Sequence, residues 1–419
     1  MDKVDIIVIG ATGFTGKHVV QLLAAFKKHD TYKTITWGIS GRSKEKVNNL
    51  LSEIEEYDVD ITKILTIISD VKDDSICNVT KRARIVINCT GPNTLLSEYI
   101  VKACVHTGTH YVDISAELYH MLNVYRAYHK RAEEAGVLIV PSCGFASIPT
   151  STGLIILDRH LKGSLHTAEC YVELHIPREC YYGGRNKTLV HYGTWEAFVF
   201  EMTNMKKYKD LKKETFPEAI NESVPREIKK SFFHKHERKW WFPYPGPDYE
   251  VGSMAQIYFQ EKKGKKPIHF RAYTTMPLLI HFLIIPLVFI AYFLCKLKCF
   301  RNLMWKHPGF FSFGLMSHKG PTEKLKNDLK YTFTLIGKGS DPTTKEHIVK
   351  ITGSDPAYKS TATTALFSAV TILLEGSKTP KGGVLMPECA FYETDIVERL
   401  KSNGINYEIV DKLPNGKTI

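Results

Sequence analysis

Short apolar runs alternate with longer amphipathic segments along the first 150 residues of the chain. The first apolar run, Val4–Ile9, precedes a glycine-containing turn and a helical pattern over residues 17–28. Continuous apolar runs are typical of parallel strands that are buried on both faces. We predict further strands over residues 35–40, 64–69, 84–89, 110–114 and 137–140, and helices over residues 44–55, 72–80, 95–107 and 117–134. This alternation predicts an α/β fold whose residues 1–150 form a doubly wound parallel sheet with dinucleotide-binding topology.

The hydrophobic pattern changes after about residue 165, where residues 167–176 alternate like a half-buried strand. We predict further strands over residues 251–260, 268–275, 330–337, 347–353 and 405–410, and helices over residues 194–203, 361–375 and 395–402. Thr194 is the expected N-cap of the first of these helices. Residues 206–241 are rich in lysine and then in aromatic residues, which favours an exposed insertion. Residues 151–275 and 320–419 are thus predicted to form a mixed α+β domain for substrate binding or dimerisation.

Residues 277–294 form an apolar segment without a formal charge, with Pro286 in its middle. A spanning helix needs about twenty apolar residues, so this segment is at the lower limit of length. Lysines and arginines flank the segment on both sides. The positive-inside rule therefore predicts no orientation across a membrane, and the flanking cations suit a segment that enters only one leaflet. We therefore predict a hydrophobic membrane-associated insertion over residues 276–319, with an aromatic belt of Trp305, Phe310, Phe311 and Phe313. A buried helix between two lobes is the alternative.

Composition, charge and cysteine spacing exclude several classes of protein. The chain has 419 residues, 43% of them hydrophobic, and a formal net charge of +12. Its lysines are spread through helices and loops without any nucleic-acid-binding motif, so we expect no nucleic-acid partner. Nine cysteines at irregular spacing form neither a disulfide framework nor a metal-binding motif, which favours a reducing, cytosol-facing location and no metal.

The candidate chemistry begins at the turn after the first strand, which reads Gly10-Ala11-Thr12-Gly13-Phe14-Thr15-Gly16. Glycines permit positive φ angles and close backbone approach, and the following helix N-terminus offers free N–H groups to an anion. We predict that this turn binds the diphosphate of a dinucleotide. A glycine-containing turn without a ligand is the alternative.

The ends of the next strands indicate which dinucleotide binds. The second strand ends in Ser40-Gly41-Arg42-Ser43-Lys44, where an NAD-preferring site usually has an acidic residue. Arg42 and Ser43 suit the 2′-phosphate of NADPH, although a surface arginine that caps a loop would leave the choice open. Asp70 could bind the adenine amino group, cap a helix from residue 71, or do both. Thr90, Gly91 and Pro92 are expected beside the diphosphate and the nicotinamide ribose.

Together with these residues, several later motifs carry a resemblance to a known family. They are Asn88-Cys89-Thr90-Gly91-Pro92, Tyr111-Val112-Asp113-Ile114-Ser115, Gly144-Phe145-Ala146-Ser147-Ile148-Pro149, Gly193-Thr194-Trp195-Glu196, Phe311-Ser312-Phe313-Gly314 and Lys319-Gly320-Pro321-Thr322. The chain resembles, nearly end to end, the saccharopine dehydrogenase-like oxidoreductases, the membrane and lipid-droplet branch of the saccharopine dehydrogenase family. The resemblance implies a Rossmann domain, a mixed α+β domain, an NADP-type cofactor and a membrane-associated insertion.

Three loops depart from the family pattern. Asn93-Thr94-Leu95-Leu96 stands after Pro92 where the family has a tyrosine, Ala116-Glu117-Leu118 replaces Gly-Glu-Pro, and Ala146 replaces an aspartate. All three loops are expected at the carboxyl edge of the sheet, where a substrate would meet the nicotinamide. Because these loops are more apolar than those of the family, saccharopine itself is a poor candidate for the substrate.

The catalytic residues are harder to assign. A Tyr-x-x-x-Lys pair of the short-chain reductase kind is missing from the helix over residues 117–134. Position alone therefore suggests Cys143, after the sixth strand, and His191 and Tyr192, before Gly193-Thr194. Tyr192 could donate a proton from its hydroxyl, and the ordinary pKa of His191 suits proton exchange. Packing or surface roles are the alternatives for all three residues.

We consequently expect an NADPH-dependent reductase that acts on an activated C=C or C=O bond of a hydrophobic lipid or isoprenoid substrate. The expected location is the cytosolic face of the endoplasmic reticulum or a lipid droplet, and a homodimer is left open. Two alternatives remain at this point. One is a non-catalytic lipid-droplet or membrane protein that retains a nucleotide-binding fold, and the other is a saccharopine-type imine reductase.

Overall fold

The computed structural model describes residues 3–177, 180, 188–217, 225, 228–276, 278–341 and 346–410, and for residues 278–285 it describes the backbone alone. The chain divides into two compact units. The first unit contains residues 1–145 and 357–403, and the second contains residues 146–356 and 404–419.

The strands of the described residues are numbered along the chain. They are β1 (Val4–Ile9), β2 (Trp37–Gly41), β3 (Leu65–Ile68), β4 (Ala83–Asn88), β5 (His110–Asp113), β6 (Leu138–Val140), β7 (Leu165–His175), β8 (Val190–His191), β9 (His234–His236), β10 (Lys239–Pro243), β11 (His269–Thr274), β12 (Met316–Ser317), β13 (Lys330–Gly339), β14 (His347–Ser354), β15 (Gly383–Val384) and β16 (Asn406–Val410).

The α-helices are numbered in the same way. They are α1 (Phe14–Ala25), α2 (Lys44–Ile54), α3 (Ile76–Thr80), α4 (Asn93–Thr107), α5 (Leu118–Glu134), α6 (Ile148–His160), α7 (Tyr192–Thr215), α8 (Asp248–Lys263), α9 (Leu278–Leu294), α10 (Lys298–Lys306), α11 (Pro308–Phe311), α12 (Glu323–Asp328), α13 (Thr361–Leu374), α14 (Pro387–Phe391) and α15 (Ile396–Lys401).

The first unit is built on the predicted parallel sheet. Its strand order is β3-β2-β1-β4-β5-β6-β15, and every pair of neighbours is parallel. The order reverses between β1 and β4, which is the switch point where ligands of open α/β sheets bind. Residues 6–9 of β1 are fully buried, as expected for a strand covered on both faces. The Rossmann-type sheet is therefore confirmed.

The assignment of residues 357–403 differs from the sequence prediction, which placed them in the second domain. In the structure α13 packs in the first unit, against α1, β4 and β5, and β15 extends the parallel sheet beside β6. The first twelve residues of α13 are buried, because its sequence is apolar or small on every face. No pattern within the first 150 residues indicated that α13, near the end of the chain, would complete the hydrophobic core of the first unit.

The second unit contains a mixed sheet in the order β16-β14-β13-β7-β11-β10-β9. The pair β7–β11 is parallel and the other pairs are antiparallel. Helices α6 and α8 pack on this sheet. The predicted mixed α+β second domain is thus confirmed in its architecture, and the strands predicted near residues 167–176, 268–275, 330–337, 347–353 and 405–410 are all present.

The strand predicted over residues 251–260 is wrong, because these residues lie inside α8. Val251, Met254 and Ala255 are buried with helical spacing. Pro247 precedes the first helical residue, and Gly264 ends the helix with a φ angle of +60°. A proline before the start and a left-handed glycine after the end are helix boundaries that could have been recognised.

The predicted helix over residues 194–203 and the exposed insertion from residue 206 also need correction. Helix α7 runs from Tyr192 to Thr215, and its N-cap is His191 instead of Thr194. The extra turns bury Tyr208, whose hydroxyl donates to the Glu250 carboxylate at 2.6 Å, and Lys212 pairs with the same carboxylate. Tertiary contacts with α8 therefore extend α7 beyond the apolar pattern. Within the insertion predicted over residues 206–241, residues 218–224, 226 and 227 lie outside the described residues.

The apolar segment predicted over residues 276–319 contains α9, α10 and α11 in the second unit. Within the part of the chain that the structure describes, no helix combines the length and hydropathy needed to cross a bilayer. Cys295 and Met304 are buried with Trp195, Val199 and Met202 of α7. Several large apolar side chains of this segment are exposed, with Phe310 reaching 78% exposure.

Candidate functional site: a groove at the carboxyl edge of the parallel sheet

A groove of about 440 Å³ lies in the first unit, where strands β1 to β4 end. It gathers residues that follow each of these four strands. From the predicted set they are Gly10, Thr12, Gly13, Arg42, Asp70, Thr90, Gly91 and Pro92. Because parallel strands present their carboxyl ends at one edge, four loops distant in sequence converge on the switch point of the sheet.

The glycines of the first loop are required by its geometry. Gly10 has a φ angle of +76°, and a Cβ there would lie 2.9 Å from the backbone of Cys89. A Cβ on Gly13 would lie 3.2 Å from the Gly10 carbonyl oxygen, and one on Gly16 would overlap that oxygen. Gly10 thus lets the turn lie against the loop that follows β4, Gly13 lets the turn close tightly, and Gly16 allows α1 to pack against the turn.

Helices α1 and α4 both begin at this edge with residues that flank the groove, and of these two α1 is open to an anion. At the N-terminus of α4 the Glu117 carboxylate accepts hydrogen bonds from the backbone N–H groups of Asn93 at 2.7 Å and Thr94 at 2.9 Å. The cap residue of α1 is Gly13, and no side chain of the described residues caps it. Its first turn also lacks acidic residues. The partial positive charge of α1 is therefore the one that a diphosphate would meet.

A buried hydrogen-bond network fixes the loop after β4. The Asn88 side-chain oxygen accepts from the backbone N–H of Thr90 at 2.9 Å and from its hydroxyl at 2.7 Å. The Asn88 amide nitrogen donates to the Tyr111 hydroxyl at 2.9 Å, and this hydroxyl donates to the Asp113 carboxylate at 2.8 Å. Asp113 also accepts from the Ser142 backbone N–H at 2.8 Å. This network holds three adjacent strand ends, and buried groups paired in this way are rigid.

Sequence reasoning missed the structural importance of Asn88, Asp113 and Glu117. Asn88 and Asp113 are parts of the sequence motifs, which assign no role to either residue. Glu117 is the glutamate of Ala116-Glu117-Leu118, where the family has Gly-Glu-Pro. The usable signal was that polar residues end apolar strands at Asn88 and Asp113, which are both fully buried. A buried carboxylate in such a position needs several donors, so a positioning role could have been expected.

The polar end of the groove contains a second cation that the sequence analysis missed. Arg42 follows β2, Lys72 follows β3, and both are exposed residues that line the groove. Asp70 lies between them in the lining, and its carboxylate accepts from the Lys72 backbone N–H at 3.0 Å. Helix α3 begins only at Ile76, so Asp70 stabilises a turn instead of capping a helix from residue 71.

The remaining predicted cofactor residues lie beside the groove without lining it. The Ser43 hydroxyl oxygen accepts from the Lys46 backbone N–H at 3.3 Å and caps α2. Phe14, Thr15 and Gly16 form the first turn of α1. The Phe14 ring packs against Tyr358, with 5.8 Å between the ring centroids. The apolar side of the groove is formed by Leu95 and Leu96 of α4.

His191 and Tyr192 lie in the second unit, at the start of α7. The Nδ1 atom of His191 accepts from the Gly193 backbone N–H at 3.1 Å, and partial burial lowers the pKa of His191. The Tyr192 ring stacks on His318 with 4.2 Å between centroids. Burial and the nearby Glu196 carboxylate raise the pKa of Tyr192. Both side chains are thus neutral at pH 7, and the tyrosine keeps its proton.

Cys143 lies in the first unit and is fully buried. Its Sγ atom donates to the Val140 carbonyl oxygen at 3.4 Å. Burial raises the pKa of this thiol well above its usual value, and the Asp113 carboxylate acts in the same direction. A thiol without access to solvent and without a tendency to ionise is a poor nucleophile. The geometry therefore favours packing as the role of Cys143.

This role predicts a clear difference in thiol reactivity. We expect iodoacetamide to modify Cys299, which is exposed, at least about 100 times faster than Cys143 in the native protein at pH 8. Mass spectrometry of tryptic peptides after timed quenching measures both rates. Unfolded protein, in which both thiols react at similar rates, is the control. Rapid modification of native Cys143 would restore it as a candidate active-site residue.

The groove fits an NADP-type dinucleotide on three observations. Gly10 and Gly13 line the groove without side chains, no side chain of the described residues caps the α1 N-terminus, and two cations stand at the ends of β2 and β3. The glycine turn and the α1 N-terminus suit the diphosphate, and the two cations suit the additional 2′-phosphate.

Comparisons with known proteins agree with this site. Residues 6–140 match the family model "Saccharopine dehydrogenase NADP binding domain". A rat saccharopine dehydrogenase-like oxidoreductase is 29% identical over 426 residues, covering 97% of each chain. A lipid droplet localized protein of Caenorhabditis elegans is 27% identical, covering 98% of this chain and 99% of its own. A trans-acting enoyl reductase of Mycobacterium leprae is 32% identical over 158 residues, 38% of this chain and 36% of its own.

A solved structure supports the fold along nearly the whole chain. Apo saccharopine dehydrogenase (L-Glu forming) from Saccharomyces cerevisiae superimposes with a TM-score of 0.56 at 16% sequence identity, covering 97% of this chain and 99% of its own. The resemblance inferred from the sequence motifs is thus confirmed. The chain is similar over nearly its whole length to saccharopine dehydrogenase-like oxidoreductases, and its residues 6–140 match the model of the saccharopine dehydrogenase NADP binding domain.

Proposed function

We propose that this protein is an NADPH-dependent reductase that transfers hydride to an activated C=C or C=O bond of a hydrophobic lipid or isoprenoid substrate at a membrane surface. The observation that carries the proposal is the groove at the ends of β1 to β4, with its open glycine turn and its two cations. NADPH bound there supplies hydride from its nicotinamide ring, and the protein must orient it and manage a proton.

Each part of the groove has a proposed role. Gly10, Thr12 and Gly13, with the N-terminus of α1, bind the diphosphate. Arg42 and Lys72 bind the 2′-phosphate, and Asp70 accepts a hydrogen bond from the adenine amino group. Thr90, Gly91 and Pro92 stand beside the nicotinamide ribose, on a loop that Asn88 holds in place.

The apolar side of the groove supports a hydrophobic substrate. Leu95 lines the groove and is 48% exposed, although it stands at the start of a helix where exposed side chains are usually polar. No acidic residue other than Asp70 lines the described groove, and its cations stand at the ends of β2 and β3, away from the loop that follows β4. The enoyl reductase name of one relative is consistent with C=C reduction on an acyl chain.

Tyr192 stays the proposed proton donor because of its place before Gly193-Thr194, although burial and Glu196 raise its pKa and make its hydroxyl a weaker acid. His191 precedes it and is proposed to hold its position through the hydrogen bond from Gly193. Tyr192→Phe is expected to lower kcat with little change in the affinity for NADPH. A Tyr192→Phe variant with wild-type kcat would remove Tyr192 from the reaction.

The test of the proposed reaction uses the full-length protein in detergent and NADPH deuterated at C4. We expect oxidation of the cofactor with long-chain enals or enones, and the deuterium at either the β-carbon or the carbinol carbon identifies the bond that is reduced. Matched short-chain compounds are the control for the apolar preference. Turnover of imines alone would favour the saccharopine-type reaction, and absence of NADPH binding would favour a non-catalytic protein.

The exposed apolar residues of α9 to α11 support a membrane location. Phe289, Phe293 and Phe310 are exposed, whereas Tyr292 and Cys295 pack with residues of α7. Lys296 lies 5.1 Å from the ring centroids of Tyr292 and Phe293. Exposed aromatics next to cations are typical of segments that lie in a membrane interface and meet anionic head groups. The lipid-droplet location of one relative agrees with this proposal.

We expect the double variant Phe289→Ser/Phe293→Ser to bind phosphatidylcholine–phosphatidylserine vesicles at least about tenfold more weakly than the native protein. Flotation through a sucrose gradient measures the bound fraction. Leu374→Ser/Ile409→Ser is the matched control, because it also removes two exposed apolar side chains from elsewhere on the chain. Equal losses in the two variants would mean that general surface hydrophobicity, and not this segment, drives binding.

A further inference from the structure

A second cavity of about 390 Å³ lies in the second unit, separate in sequence from the residues of the proposed cofactor site. It lies where residues 228–232 meet Pro243, at the end of β10, and Arg271 and Tyr273 within β11. The Tyr273 hydroxyl donates to the Ile228 carbonyl oxygen at 3.4 Å, which ties this segment to the sheet. The volume is within the range of about 300–1,000 Å³ that is typical of small-molecule sites.

Three cations line this cavity, namely Lys229, Lys230 and Arg271. Among the described residues no acidic side chain lines it. Outside the lining, Glu169 pairs with Lys230, with 3.8 Å between its Oε2 atom and the Lys230 Nζ atom, and Glu169 of β7 is also the register partner of Arg271 in β11. The Arg271 guanidinium donates to the Phe270 carbonyl oxygen at 3.0 Å and lies over the Tyr249 ring, so neither contact neutralises its charge. The three cations of the lining therefore outnumber Glu169, the one carboxylate that the described residues place against them.

The same cavity has apolar walls. Ile228 and Tyr273 are buried and contribute to its lining. Phe232 also lines it, yet its side chain is 53% exposed and touches Phe233 edge-on, with 5.0 Å between the ring centroids. The exposed half of the Phe232 ring therefore offers apolar surface beside the cations, and a ligand with an apolar part would gain free energy by covering it. An inorganic anion would satisfy the cations and leave the ring in water.

We infer that this cavity binds an anionic amphiphile, with a carboxylate or phosphate head group at Lys229, Lys230 and Arg271 and an apolar chain against Phe232. Charge-assisted hydrogen bonds hold the head group of the ligand. Contact between the ligand's apolar chain and Phe232 buries aromatic surface and increases the affinity. The inference does not rest on the proposed reductase activity, because it uses none of the residues of the nucleotide groove.

Equilibrium binding to the full-length protein tests the inference with three probes below their aggregation concentrations. These are dodecyl phosphate, inorganic phosphate and dodecanol, measured by isothermal titration calorimetry in low salt. We expect dodecyl phosphate to bind at least about tenfold more tightly than either of the others. Equal affinity of inorganic phosphate would identify a free-anion site, and equal affinity of dodecanol would identify a purely apolar pocket. Either result overturns the inference.

Charge variants then locate the binding. Lys229→Gln/Lys230→Gln is expected to weaken dodecyl phosphate binding about tenfold or more. Lys263→Gln/Lys266→Gln is the matched control, since it removes the same charge from exposed positions outside the cavity. Equal losses in both variants would mean non-specific attraction to a basic protein and would overturn the inference.

The apolar wall has its own variant. Phe232→Ala is expected to lower the affinity for dodecyl phosphate about fivefold or more and to leave that for inorganic phosphate unchanged. Unchanged binding of dodecyl phosphate would overturn the assignment of the chain to this ring. Fluorescence titration with NADPH is the control in all these variants, and an unaltered Kd shows that the variant is folded. Because this control measures the nucleotide groove alone, it separates failure of this inference from failure of the proposed function.

Discussion

Arg42→Ala is expected to raise the Kd for NADPH about 30- to 100-fold while changing that for NADH less than about threefold. A charge-assisted hydrogen bond contributes about 1.5–3 kcal/mol, and a guanidinium commonly makes two such bonds to one phosphate. NADH lacks the 2′-phosphate, so it loses no such bond when the arginine is removed. Fluorescence titration of the reduced cofactors measures both constants under the same conditions.

Controls separate a specific contact from a general change of charge. Lys46→Ala removes an exposed cation from α2, outside the groove, and is expected to change the Kd for NADPH less than about twofold. Lys72→Ala is expected to give an intermediate loss of about tenfold, because a flexible ammonium makes a less directed contact than a guanidinium. If Arg42→Ala weakened NADH and NADPH equally, the arginine would act on the loop and not on the 2′-phosphate.

The first unit was largely predictable because its signals are local. Buried parallel strands give continuous apolar runs, and Gly10 with Gly13 marks the turn that follows the first of them. Since parallel strands place their carboxyl ends at one edge, the gathering of Arg42, Asp70 and Thr90 around that turn followed from strand order alone. Lys72 was missed because a lysine after a short strand has the same local pattern as any solvated surface.

The second unit was less predictable because the lengths of its helices depend on tertiary contacts. Residues 251–260 contain apolar positions compatible with either period, so the boundary signals at Pro247 and Gly264 were overlooked, and packing on β11 buries one face of the helix. Likewise, α7 extends to Thr215 because Glu250 of α8 pairs with Tyr208 and Lys212. Residues 357–403 join the first unit through contacts of α13 that no local pattern specifies. Helix boundaries and domain membership therefore needed the structure.

Asp248 is a buried carboxyl group for which the structure predicts a large pH effect on stability. It is the first residue of α8 and is 1% exposed. One carboxylate oxygen accepts from the Thr150 hydroxyl at 2.5 Å, and the other has no hydrogen-bond partner among the described residues. Tyr244 and Cys170 also face it, and both are neutral because burial raises their pKa values. Burial raises the pKa of Asp248 to about 7, and the Thr150 hydrogen bond opposes this only in part.

The sign of the effect follows from proton linkage. In the unfolded chain Asp248 has its ordinary pKa of 3.8, so between about pH 4 and pH 7 the folded protein holds a proton that unfolding releases. The free energy of unfolding therefore falls as pH rises through this window and levels off above pH 7. The two pKa values differ by about three, which at about 1.36 kcal/mol per pH unit corresponds to a loss of about 4 kcal/mol.

Asp248→Asn removes this titration while preserving an oxygen that can accept from Thr150. We expect the variant to be about 2–4 kcal/mol more stable than the native protein at pH 8 and to show no such gain at pH 4. Urea unfolding followed by tryptophan fluorescence at several pH values measures the difference, and Trp241 of the same unit reports on it. Asp210→Asn, which neutralises an exposed carboxylate of α7, is the matched control and is expected to give no pH-dependent gain. A native protein whose unfolding free energy is flat between pH 4 and pH 7 would show that Asp248 is ionised in the folded state, with the charge stabilised by groups other than Thr150.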